Sequence, residues 1–137
     1  MARRVGSIQA GHRSFVTTSA QVDLGNTGAP TDIPTTMVCP GDGAKVVEVA
    51  YTVSTTGGDA ENHSLVLEHG LGAAGAALTP TSVHANDDAD GVIVTAKGLQ
   101  PQDQPDTVFG TKIQIRNTED GAIANGLILD VLVIWEL

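Results

Sequence analysis

The sequence predicts an all-β fold: an antiparallel two-sheet sandwich, jelly roll in arrangement, with a short N-terminal arm. Three observations carry this. Short apolar runs, roughly eight or nine of them at spacings of roughly 8–15 residues, are separated by clusters of Gly, Pro and Asp. The two longest runs alternate with a period of two, the period of a strand with one face on a core. Glycine supplies 16 of 137 residues and aromatics only 3%, so turns are frequent and the core is built from Val, Ile, Leu and Ala. An immunoglobulin-type sandwich normally holds a Cys…Trp…Cys arrangement. Cys39 is the single cysteine, which favours the jelly roll.

Residues 1–13 show no clear period and form the arm; residues 14–137 form the sandwich. Ser14–Ala20 is a β-favouring run that Gln21–Leu24 extends. Gly25-Asn26 closes it and a loop follows. Ile33–Cys39 is the next strand, and Pro34 near its start assigns it to an edge, because proline cannot donate to a ladder. Pro40-Gly41-Asp42-Gly43 is a turn. Lys45–Thr55 places Val47, Val49, Tyr51 and Val53 on one face and Glu48, Ala50, Thr52 and Ser54 on the other. In His63–His69, Leu65 and Leu67 point inward. Gly70–Leu78 is alanine-rich, but its glycines oppose helix, so a loop with at most one helical turn is expected. Thr81–Ala85 and Gly91–Lys97 are short strands about an acidic turn, and Gly98–Thr107 is a loop. Val108–Asn117 puts Phe109, Ile113 and Ile115 in the core.

Gly126–Leu137 closes the chain. Leu127, Leu129, Val131, Val133, Trp135 and Leu137 share one face. Ile128, Asp130, Leu132, Ile134 and Glu136 share the other. Both faces carry branched apolar residues, where a solvent-facing strand alternates cleanly with polar ones. Ile128, Leu132 and Ile134 are therefore expected to be covered, by another part of the chain or by another subunit. Leaving all three in water forgoes several kcal/mol at ~25 cal/mol per Å².

Net charge is −9, from 16 acids and 7 bases. Affinity for nucleic acid comes largely from phosphate neutralisation, so direct nucleic-acid binding is not expected. Anionic membrane surfaces are disfavoured for the same reason. No run approaches the ~20 apolar residues of a membrane-spanning helix, and no apolar stretch follows Arg3-Arg4 as a secretory leader requires. Arg3, Arg4 and Arg13 stand in the first thirteen residues, which hold no acid. This basic arm on an acidic body either docks on an acidic partner or is solvated.

Chemistry-bearing constellations are sparse. His12, His63, His69 and His84 match no short-range metal motif and read as surface or strand-end histidines. Asp87, Asp88 and Asp90 offer three hard oxygen ligands, a weak calcium candidate; Asp and Gly are equally what a turn requires. Cys39 reads as a small hydrophobe at a strand end. No serine sits in Gly-x-Ser-x-Gly. Gly70-Leu71-Gly72-Ala73-Ala74-Gly75 matches a bare dinucleotide pattern but lacks its βαβ context. No cofactor and no enzymatic activity are expected.

The overall plan resembles the small jelly-roll decoration, or cement, proteins of tailed bacteriophage virions. The resemblance lies in an arm ending at Arg3-Arg4, the Ser/Thr-rich first strand Ser14–Ala20, the Pro/Gly/Asp-punctuated short strands, Lys45–Thr55 and the apolar closing strand Leu127–Leu137. It spans most of the chain and contains no diagnostic motif. It implies a structural protein that stabilises an assembled capsid shell, assembled in the host cytoplasm and resident on the capsid surface. It implies a homo-oligomer, a trimer, and the major capsid protein as partner. By that resemblance Arg3, Arg4, Val5, Ile8 and Arg13 are capsid contacts. A tail or host-attachment module binding protein or carbohydrate is the alternative.

Overall fold

A computed structural model describes residues 13–25 and 31–137. The described residues form nine strands: β1 (Phe15–Asp23), β2 (Thr31–Val38), β3 (Lys45–Thr55), β4 (Asn62–His69), β5 (Ala76–Ala77), β6 (Ser82–Ala85), β7 (Ile93–Lys97), β8 (Lys112–Glu119) and β9 (Ile128–Glu136). Two antiparallel sheets result. Sheet A has the order β1-β9-β3-β7, and sheet B the order β2-β8-β4-β5, with β6 also on β4. Leaving aside the two-residue β5, the pairings nest: β1 with β9, β2 with β8, β3 with β7, β4 with β6. The chain is thus one long antiparallel ladder rolled into a sandwich, which is jelly-roll connectivity. β2 is an edge strand, as Pro34 requires.

The core lies between the sheets. Val22, Val49, Tyr51, Val53, Leu129, Val131, Val133 and Trp135 of sheet A meet Met37, Leu65, Leu67, Ile113 and Ile115 of sheet B, all buried. The alternation read from Gly126–Leu137 is observed from Leu127 to Trp135, while Leu137, expected on the inner face, lies past the end of β9 and is exposed; Trp135 Nε1 donates to Thr18 Oγ1 at 2.9 Å. Cys39 is fully buried as a small apolar residue.

Three further sequence expectations need correction. Phe109 is 68% exposed rather than core. Thr111 N–H donates to Val108 O at 3.1 Å and Gly110 takes φ +83°, so a tight turn resets the alternation and β8 begins only at Lys112. In β3, the register shifts between Val46 and Glu48; Val46 is buried, and Val47 is displaced from the inner set to a half-buried position. His63 and His84 are fully buried cross-strand neighbours rather than surface groups. His63 meets Asn117 Oδ1 at 2.9 Å and Asn86 Oδ1 at 2.7 Å; His84 meets Asp88 Oδ2 at 2.5 Å and Tyr51 O at 3.2 Å. Periodicity places a side chain on a face and says nothing of whether polar partners await it there.

The Gly70–Leu78 segment is a loop with one 3-10 turn, Gly72–Ala74, and the short β5. It covers part of the outer face of sheet B. Gly72 N–H donates to Gln114 Oε1 at 2.7 Å, and Gln114 Nε2 donates to Glu68 Oε1 at 2.7 Å. The loop sits so close that a Cβ on Gly75 would lie 2.3 Å from Gln114 Nε2. The glycines serve close packing on β4 and β8, and Glu68 is buried by the same cover.

Candidate interaction surface

Sheet A has no comparable cover. Beyond an end row of Phe15, Glu136 and Lys45, its register sets four side-chain rows on the outer face, running across β1, β9, β3 and β7. Thr17, Ile134, Glu48 and Lys97 form one row. Ser19, Leu132, Ala50 and Thr95 form the next, and Gln21, Asp130, Thr52 and Ile93 the third. Asp23, Ile128 and Thr55 form the last, on β1, β9 and β3. Leu132 is 42% and Ile93 58% exposed, while Ile128 and Ile134 are half-buried among their row neighbours. No other described part of the chain lies over this face, so the first of the two expected covers is ruled out among the described residues. Ala50, Thr52, Ser19 and Thr17 are short, which leaves the face low and flat. A shallow depression of about 320 Å³ runs beside Ser19, Gln21, Thr52, Asp130 and Leu132.

Charged and polar pairs lie on and beside this face. Arg13 makes two 2.6 Å hydrogen bonds to the Glu136 carboxylate, and its guanidinium stands 5.3 Å from the centre of the Phe15 ring. The side-chain hydrogen bonds and the opposite charge raise the Arg13 pKa and lower that of Glu136. Lys97 and Glu48 approach to 3.7 Å across β7 and β3. Gln21 Nε2 donates to Asp130 Oδ1 at 3.4 Å. Leu132 and Ile134 are neighbours on β9 beside Ala50, while Asp130 separates Leu132 from Ile128 and Ile93 stands on the edge strand; exposed apolar side chains grouped among polar ones mark an association surface.

Of the arm residues, Arg3, Arg4, Val5 and Ile8 lie outside the described residues, as does His12. Arg13 is described, and its guanidinium is engaged by its own chain. Ile93 and Ala50 join the expected set Ile128, Leu132 and Ile134 on the outer face. Only the register between β3, β7 and β9 unites them, and no sequence interval reveals that register.

The acidic turn does not gather its carboxylates. Asp88 Oδ2 takes His84 and the Ala85 N–H, at 2.5 and 3.2 Å. Asp90 Oδ1 accepts the Thr56 N–H at 2.9 Å, and Asp87 is exposed. Asp88 and Asp90 thus brace two different backbone segments. Among the described residues, no group of three or more His, Cys, Asp or Glu is placed to hold a metal ion. A larger depression, about 460 Å³, opens at one end of the sandwich beside Asp23, Thr55, Thr56, Asn125 and Ile128. Among its described lining residues the one carboxylate, Asp23, already accepts the Gly25 N–H at 2.9 Å. No described helix is long and apolar enough to cross a membrane. No family model and no curated protein matches this chain in sequence.

Proposed function

We propose that this chain is a structural component of a larger assembly, of the kind that decorates a bacteriophage head. The reading is carried by one observation: the outer face of sheet A presents Leu132, Ile93 and the partly shielded Ile128 and Ile134 with no cover from the described chain. Sister copies, or a shell subunit, bury that face in the assembled state. Its flatness suits a broad protein surface better than a small molecule. The jelly-roll fold agrees with the decoration-protein resemblance, and the trimeric number rests on that resemblance alone.

The first test is sedimentation of the purified chain at micromolar concentration. A mass of several 14.0 kDa chains is expected, with a smaller mass in a Leu132→Asp, Ile93→Asp double variant of unchanged circular-dichroism spectrum. A wild-type monomer that also fails to bind capsid shells overturns the reading. The second test is electron microscopy of the parent particle. Density for this sandwich on the outer surface of the head is expected, and density confined to the tail supports the host-attachment alternative instead.

A further inference from the structure

We infer that β1 is a strand-addition edge through which two copies of this chain join about a two-fold axis, fusing their four-stranded A sheets into one. The pairing stands on the ladder geometry and does not depend on the outer-face reading above.

Consider the edges of both sheets. β2 carries Pro34 and a register break between Pro34 and Val38. β7 has five residues and ends on Lys97; β5 has two residues and β6 four. These are the devices by which edges are kept from pairing with other chains: shortness, proline, irregular register and lysine. β1 has none of them. It runs nine residues, Phe15–Asp23, with no proline, no lysine and an unbroken register against β9. No described strand pairs with its other side.

The phase of its free groups follows from the hydrogen bonds that frame it. Leu137 N–H donates to Ser14 O and Leu24 N–H to Leu127 O, both at 2.9 Å. Ladder bonds alternate along an antiparallel pair. Even-numbered residues of β1 therefore bond to β9, and Phe15, Thr17, Ser19, Gln21 and Asp23 point their N–H and C=O groups away from the sheet. These five side chains also face outward, and four of the five are polar.

The strand is self-complementary about Ser19. Antiparallel pairing of two β1 edges centred there sets Ser19 opposite Ser19, Thr17 opposite Gln21 and Phe15 opposite Asp23. All are odd-numbered residues, as the free hydrogen-bonding groups require. Thr and Gln side chains pair by hydrogen bonding, and small Ser residues meet at the axis. Arg13, stacked over Phe15, then stands beside Asp23 of the second copy. The symmetry makes this contact of opposite charges twice. Joining the edges also makes the two outer faces continuous, so the Leu132 rows of both copies lie on one surface.

Two substitutions test this. Ser19→Pro removes an N–H that faces away from β9 and leaves the β1–β9 ladder intact. The variant is expected to keep its circular-dichroism spectrum and to sediment at a lower mass than wild type. Ser19→Cys is expected to form a covalent dimer under mild oxidation. Facing residues of a hydrogen-bonded pair have Cα atoms about 5.5 Å apart, inside the disulfide range of roughly 4.4–6.8 Å. Thr17→Cys alone is expected to stay unlinked, because two copies of residue 17 lie about 14 Å apart in this register at ~3.4 Å per residue. Mixed with Gln21→Cys it is expected to cross-link. Buried Cys39 leaves the reading clean.

A folded Ser19→Pro variant of unchanged mass overturns the edge pairing. So does a Ser19→Cys variant that gives no dimer, which decides the matter if the proline variant fails to fold. An assembly dissolved by the Leu132→Asp, Ile93→Asp double variant but indifferent to Ser19→Pro overturns the edge pairing alone. Loss of association in Ser19→Pro with no effect of the outer-face variant overturns only the outer-face reading.

Discussion

His69 sits at the end of β4, half-buried, and its Nε2 accepts the Val108 N–H at 3.2 Å. Burial lowers its pKa, and the nearby positive charge of Lys45 acts in the same direction. The folded chain therefore favours the neutral ring, the form with a lone pair for Val108. The stability this supplies is fully present above about pH 6.5, the ordinary histidine value, and is lost as pH falls below it. The melting-temperature difference between wild type and His69→Leu is expected to shrink between pH 7 and pH 5 in calorimetry. Glu136 and Asp120 are lowered too, by Arg13 and by the Asn62 hydrogen bonds. Their contribution is lost at lower pH, as it falls from about 4, so the two limbs separate. Exposure gives a second residue-level prediction. Phe109→Ser changes unfolding free energy by about 0.5 kcal/mol or less, whereas Leu129→Ala, at a fully buried site, costs about 2–5 kcal/mol. Urea titration checks both.

At the scale of elements, β3 shows how an irregular strand is held. Where its register breaks, Gln104 from the Gly98–Thr107 loop replaces a strand partner. Val46 N–H donates to Gln104 Oε1, and Gln104 Nε2 donates to Val46 O, both at 2.9 Å. Gln104→Ala leaves buried backbone groups unpaired and is expected to cost roughly 1–3 kcal/mol in chemical denaturation. Such a contact spans 58 residues and has no signature in the chain. Strand identity was legible because alternation is local: Lys45–Thr55, apart from Val47 at the register break, and the inner face of β9 follow directly from it, and Pro34 marks β2 as an edge. What depends on a partner was not. Gln104, the Asn86 and Asn117 side chains around His63, and the union of Ile93 with Leu132 all need the register between distant strands. The unbroken edge of β1 was present as a lack of prolines and lysines, but only the sheet order shows that this strand is an edge.

At the scale of the whole molecule, the described residues close a core between the sheets and leave the outer face of sheet A open among themselves. A chain that keeps Leu132 and Ile93 in water while covering Gln114 and Glu68 with a loop has spent its cover on the polar face. Under the proposed association the melting temperature is expected to rise with protein concentration, as linkage requires. A scan over a hundred-fold concentration range checks this, and a concentration-independent melt counts against it. The nested strand order has a further effect, on the timing of synthesis. β9 lies between β1 and β3, yet it is translated after both. Sheet A cannot close until residue 136 clears the ribosome, and until then β1 and β3 travel as separate, unjoined ribbons. Long-range pairings of this type slow folding, so every nascent copy passes through a period in which β1 lacks its β9 partner.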